Sequence, residues 1–155
     1  MIEKSIQPVQ YKGEFVLTKT GSLDFGEIPP EIAKIIKRQS GKIRLRTGIQ
    51  VDGAKGNYGE KHIERPERKE ALLKCGYTSA RDFIEDTCQN YDAIYQGQNG
   101  SLILVKSYAD KNHIAIVKLT PSENNDFYDV QTGYPSRKSG KNKKPLLWER
   151  QEERL

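Results

Sequence analysis

The spacing of apolar residues changes about two thirds of the way along this chain, from a helical period to a strand period. In residues 31–38, Ile32, Ile35 and Ile36 stand at i, i+3 and i+4 behind Pro29-Pro30, which predicts a short amphipathic helix. Residues 67–74 predict a second helix stopped by Gly76, and Ser79-Ala80-Arg81-Asp82 starts a third that carries Phe83, Ile84, Thr87, Cys88 and Tyr91 inward. Residues 42–46 alternate instead, with Ile43 and Leu45 on one face and Lys42, Arg44 and Arg46 on the other. Later the runs 101–108, 113–120, 127–132 and 145–150 are apolar or alternating, separated by Gly, Asn, Asp, Ser and Pro clusters, the pattern of an antiparallel meander. A weaker first strand is expected at 14–18.

These elements predict an α+β fold, with N-terminal helices packed on a twisted four- to five-stranded antiparallel sheet. At 155 residues the chain fits one domain with a core of its own. Residues 1–22 read as an N-terminal arm free to move, and 23–155 as the single domain. Cys75 and Cys88 are not spaced as a CxxC and only two histidines exist, so no zinc site, disulfide scaffold or other metal cofactor is expected. Both cysteines read as small core residues of a reducing compartment. No apolar run approaches the roughly 20 residues needed to span a bilayer, so a monomer acting in the cytoplasm is expected, carried across any membrane only within a larger secreted or phage protein.

Charge sharpens the picture. Twenty-six Lys and Arg against 21 Asp and Glu give a net charge of +5, and Arg137, Lys138, Lys141, Lys143 and Lys144 fall in one stretch without an acid. Such a patch suits a polyanion. Lys61, Arg46 and this patch could track a phosphate backbone, and Tyr58 or Tyr134 could stack a base. RNA supplies its own nucleophile, the 2′-hydroxyl, so cutting it requires a proton carrier, charge stabilisation and a protonated leaving group. His62 follows a loop with three glycines in seven residues, Gly53 to Gly59, and is the candidate proton carrier; the ordinary alternative is a histidine bonded to a loop carbonyl. His113 reads as a solvated strand-end residue. Thr132, at a strand end before Gly133, could offer its hydroxyl to a phosphate oxygen, with Tyr128 on the same strand face about 13 Å away.

The ordered set Asp24-Phe25-Gly26-Glu27-Ile28, Ile43-Arg44-Leu45-Arg46, Tyr58-Gly59-Glu60-Lys61-His62-Ile63, Gly76-Tyr77-Thr78-Ser79 with Asp82-Phe83-Ile84, Tyr128-Asp129-Val130-Gln131-Thr132 and Leu146-Leu147-Trp148-Glu149-Arg150 resembles the phage-type nucleases of the barnase, EndoU, colicin and RelE superfamily, which occur as C-terminal domains of polymorphic toxins. The resemblance runs from about Leu23 onward. It implies a metal-independent endoribonuclease toxin acting on tRNA or another structured RNA, leaving a 2′,3′-cyclic phosphate, and an immunity protein or antitoxin as partner. It implies His62 as general acid/base, Thr132 as a phosphate-binding or catalytic hydroxyl, Tyr128 beside it and Arg44 at the scissile phosphate. Many such sequences carry a second histidine shortly after the first; here that stretch is Glu64-Arg65-Pro66-Glu67-Arg68, where a cation can stabilise charge but is a poor proton donor. The rival expectations are a basic module that holds nucleic acid without cutting it, and a protein-interaction domain whose basic face meets an acidic partner.

Overall fold

A computed structural model describes residues 11–123, 125–137 and 144–151. The chain runs β1 (Tyr11–Lys12), β2 (Phe15–Val16), β3 (Gly26–Ile28), α1 (Pro30–Ile36), β4 (Gly41–Arg44), α2 (Gly59–Ile63), α3 (Pro66–Lys74), α4 (Ala80–Asn90), β5 (Ala93–Gln96), β6 (Leu102–Ser107), β7 (Lys111–Thr120), β8 (Phe127–Arg137) and β9 (Leu146–Glu149), with a 3-10 turn at Gln98–Gly100. The helices start where local chemistry directs. Pro30 occupies the first turn of α1, and the Ser79 hydroxyl accepts from the Asp82 amide at 3.3 Å to cap α4. No helix among the described residues is long and apolar enough to cross a membrane.

Seven strands form one sheet in the order β3-β4-β8-β7-β6-β5-β9. The fold is α+β, but the sheet exceeds the expected four to five strands and is mixed, because β4 pairs with β8 in parallel at Ile43–Tyr128 and Arg44–Asp129. Strands β3 and β5 are three and four residues long, too short to show an alternation in the sequence. β4 reaches β8 only after all of α2 to β7 has intervened, so no tight turn forces the pair to be antiparallel.

The main core lies between the inner face of the sheet and the helices, and includes Phe25, Ile43, Leu45, Phe83, Ile84, Leu104, Val117 and Val130, all fully buried. Each such side chain contributes about 1.5–3 kcal/mol by leaving water. Val16 joins this core, and its amide donates to the Leu45 carbonyl at 2.8 Å. Phe15 forms a bridge with Arg46 and sets its ring edge against Phe127, with centroids 5.4 Å apart. Of the arm expected through residue 22, the part from residue 11 onward is thus packed on the domain, and residues 1–10 lie outside the described residues. The backbone beyond β4 presents an open edge at Leu45 and Arg46, and β2 fills it with a hydrogen bond and an apolar side chain.

One irregularity decides which side chains the end of β8 presents. Tyr128 pairs with Leu119, Asp129 with Lys118 and Val130 with Val117, but Thr132 pairs with Ile116, so Gln131 is an extra residue opposite no partner. A β-bulge of this kind inverts the alternation. Tyr128 and Val130 face the core, whereas Thr132 and Tyr134 face outward and Gly133 inward. The expectation that Tyr128 and Thr132 share a face does not hold. The Tyr128 side chain is 2 % exposed, and its hydroxyl donates to the Gln39 carbonyl at 2.6 Å.

His113 is a second correction, since β7 begins two residues before it and places it on the inner face. It is 2 % exposed, surrounded by the rings of Tyr77, Phe83 and Tyr108 at 5.7, 5.0 and 4.5 Å, and neither ring nitrogen is hydrogen-bonded. Burial, then Lys111 and Lys106, hold its pKa below the ordinary value of 6.5, while Asp86 pulls the other way. Below pH 6.5 the unfolded chain takes up a proton that the folded one refuses, so stability falls as the pH falls. The expected slope is up to about 1.4 kcal/mol per pH unit for this one group. Urea denaturation at pH 7.5, 6.5 and 5.5 should show a shallower loss for His113→Phe than for the parent; equal slopes would refute the assignment.

Candidate active site

Helix α2 is fixed before its histidine is presented. Its first amides have no partner within so short a helix, and the chain beyond β4 supplies them: Glu60 and Lys61 donate to the carbonyls of Arg46 and Thr47, each at 2.9 Å. This requires two backbones to touch. Gly48 (φ +73°) and Gly59 (φ +80°) meet where they cross, and a Cβ on Gly48 would stand 1.9 Å from the Tyr58 carbonyl oxygen. Gly48→Ala should cost about 2 kcal/mol or more, a fall in Tm of roughly 4–8 °C, because strained backbone and overpacking add. Gly53→Ala is the control for a thermal-melt comparison, since Gly53 has positive φ but open space around it. Equal losses in the two variants would contradict this account.

The far side of α2 is anchored by two carboxylates. Glu60 receives Arg81 at 2.9 Å and the Tyr11 hydroxyl at 2.8 Å, and Glu64 accepts from the Ala80 amide at the start of α4, also at 2.8 Å. Residues 60 and 64 share one helix face, so His62 projects from the other. There its Nδ1 lies 2.7 Å from Gln50 Oε1. An amide oxygen only accepts, so Nδ1 carries the proton and Nε2 is the ring's acceptor.

Two arginines complete the site. Arg65 Nη1 donates to the His62 carbonyl at 2.6 Å and stands 3.1 and 3.2 Å from the two ring nitrogens, of which only the unprotonated Nε2 can accept from it. Arg68 Nη1 donates to Thr132 Oγ1 at 3.0 Å and to the Gly133 carbonyl at 2.6 Å, and its guanidinium lies 4.8 Å above the Tyr134 ring. It thereby satisfies the β8 edge that β4 leaves unpaired. Burial first, then Arg65, push Arg68 down to about 10, which marks two cations held close together. Burial, then Arg65 and Arg68, also lower the pKa of His62, so the imidazole is neutral at pH 7. A neutral imidazole with an unprotonated Nε2, beside two guanidinium groups and a hydroxyl, can accept a proton and receive an anion at the same place.

The remaining expected residues divide. Thr132 is in the site and Lys61 is exposed beside it. Tyr128 is in the core. Arg44 is ion-paired with Asp24 at 3.1 Å and packs against Phe15 and Phe127, making no bond to the His62 group, so its expected place at the scissile phosphate is not where the fold puts it. Arg46 bonds the buried Asp129 at 2.5 Å and covers the Tyr58 ring at 4.6 Å, so neither that cation nor that face of Tyr58 is open to RNA. Lys42 pairs with Glu27, its cross-strand neighbour. The alternating cations of 42–46 thus meet carboxylates from three other segments, which no local pattern discloses. Arg137 and Lys144 are exposed at the far end of the same sheet face, and Lys141 and Lys143 lie outside the described residues.

Arg65, Arg68 and Gln50 were not singled out in the sequence. The signal for the two arginines was present, as cations in the stretch where related patterns carry a second histidine. No three His, Cys, Asp or Glu side chains among the described residues gather as metal ligands. Comparison with protein-family models, with curated proteins and with solved structures finds no match to this chain.

Proposed function

We propose that this protein is a metal-independent endoribonuclease, a toxin cutting tRNA or another structured RNA. The observation that carries the reading is the triplet of His62, Arg68 and Thr132, in which a neutral imidazole stands beside a partly buried guanidinium already bonded to a hydroxyl midway along β8, not at a strand end as expected. In the reaction the 2′-oxygen attacks the adjacent phosphorus and passes its proton to His62 Nε2. The P–O5′ bond breaks, the leaving oxygen takes a proton from solvent, and a 2′,3′-cyclic phosphate remains. Arg65 and Arg68 offset the charge that develops on the non-bridging oxygens, and Thr132 orients one of them. An acidic immunity protein covering the site would use the same cations.

A second reading, a basic module that binds nucleic acid without cutting it, is favoured by one observation. The groups acting on His62 are Gln50, Arg65, Arg68 and Glu67, and the one acid among them, Glu67, is ion-paired with Arg65 at 3.2 Å, so among the described residues no second proton donor stands ready for the leaving oxygen. Incubating the protein with total bacterial RNA in EDTA separates the readings. Discrete fragments ending in cyclic phosphate support the nuclease; intact RNA with salt-dependent binding supports the module.

A further inference from the structure

The sheet face turned away from α1 and α4 is built of two rows of cross-strand neighbours that run from β5 to β8. Ala93, Val105, Ile114 and Tyr134 form one, and Tyr95, Ile103, Ile116 and Thr132 the other. Ala93, Ile103 and Val105 are buried and Tyr95, Ile114 and Ile116 pack on them, giving a second apolar cluster separate from the main core. Two cavities of about 160 and 270 Å³ lie on this face and share Ile103 and Lys144. The smaller is lined by Tyr95, Tyr134 and Asn112 among others, the larger by Ile116, Lys118 and Gln131.

We propose that this face seats two unpaired, unstacked nucleobases of a single-stranded RNA segment, one in each cavity, next to the phosphate held at Arg68. The proposal rests on the ribonuclease reading for the place of that phosphate. Four observations carry it. The row ends Thr132 and Tyr134 are also the residues that Arg68 bonds and covers, so a phosphate at Arg68 has this floor as its neighbouring surface. Aromatic and aliphatic side chains accept the flat face of any base, whereas the Lys118 and Arg137 cations suit the backbone between them.

The third observation is Asn112, whose Oδ1 is buried with no hydrogen-bond partner while its side chain lines the smaller cavity. Every nucleobase edge carries an N–H, and one donated there relieves the cost of an unpaired acceptor. The fourth is spacing. The rows are two residues apart along each strand, about 6.6 Å at 3.3 Å per residue, roughly twice the 3.4 Å step between stacked bases in a duplex strand. Bases seated on both rows are therefore splayed apart, and a continuous double helix does not fit.

The test is calorimetric titration of the whole protein with a 2′-fluoro tetranucleotide, which lacks the nucleophile, and with a 12-base-pair duplex of the same chemistry, alongside RNA cleavage assays. Tyr95→Leu, Tyr134→Leu and Asn112→Leu are compared with the parent, their folding checked by circular dichroism. The expected result is tighter binding of the tetramer than of the duplex per site, with each tyrosine variant weakening the tetramer roughly 5- to 150-fold, the equivalent of one stacked base. Asn112→Leu should weaken the tetramer and leave duplex binding unchanged. Tetramer affinity unchanged in all three folded variants, or a duplex preferred by the parent, overturns the base-seating proposal even if RNA is cut. Tetramer binding with these losses but no RNA cleavage sinks the ribonuclease reading and leaves the base seats standing. No binding of either probe at low salt sinks both.

Discussion

His62→Ala is expected to lose RNA cleavage by about 10²- to 10⁴-fold at pH 7.5 while keeping the parent's circular dichroism and melting temperature. The magnitude follows from removing the group that accepts the 2′-hydroxyl proton, and the preserved fold from the half-buried position of the ring, whose helix is held by Glu60 and Glu64 on its opposite face. A pH profile separates this from a merely structural role. The pKa of His62 is lowered by burial, Arg65 and Arg68, so the parent's activity should persist below pH 6.5 before it falls on the acid side. Arg65→Met removes one of those cations, raises the imidazole pKa and should move the acid limb to higher pH. A folded His62→Ala protein that cuts as well as the parent, or an acid limb indifferent to Arg65, would end the proton-carrier assignment.

Arg46→Met is expected to destabilise the fold by about 3–5 kcal/mol at pH 7.5, roughly 6–20 °C in Tm. Asp129 is 0 % exposed; its Oδ2 accepts from Arg46 at 2.5 and 3.1 Å and from Gln131 at 3.1 Å, while its Oδ1 has no partner. Burial already holds this carboxyl above the ordinary 3.8 despite the arginine, so without Arg46 an unpaired charge remains buried. The sign of the pH effect follows. In the variant the folded carboxyl binds its proton more readily than the unfolded one, so stability should recover as pH falls from 7.5 towards 5. The double variant Arg46→Met/Asp129→Leu removes both charges and should regain most of the loss. Urea denaturation of the three proteins decides it, and a single variant within 1 kcal/mol of the parent, on the order of a surface pair, would show that the ion pair is not buried in this sense.

What could be read in the sequence was whatever local spacing encodes. The helical stripes of α1, α3 and α4, the alternation of β4, β6 and β7, and the glycine loop leading to His62 all appear in the fold within a few residues of their expected bounds. The expectations that failed depend on distant partners. Arg44 and Arg46 looked like free cations because Asp24 and Asp129 approach only through tertiary packing, and His113 looked solvated because the turn before it hides how early β7 begins. β3 and β5 were too short to show a period. The pairing of Thr132 with Arg68 spans 64 residues, and only the triangle of α2, α3 and β8 brings the two together.

The extra residue at Gln131 turns the second half of β8 over like a half-twist in a ribbon. Substitution cannot reverse it, because no side chain changes the parity of a strand; the position at which the ladder leaves one residue unpaired decides it. Were Gln131 itself paired with Ile116 in an unbroken ladder, Thr132 and Tyr134 would point into the space beneath α4 and Gly133 would look outward, leaving Arg68 with only a main-chain oxygen to hold. The inward slot is closely fitted to glycine, since a Cβ at Gly133 would stand 2.4 Å from the Ile84 side chain. The chemically equipped face is thus a matter of register: deleting Gln131 would keep Thr132 opposite Ile116, whereas closing the bulge at full length would silence the site while leaving every one of its residues in the gene.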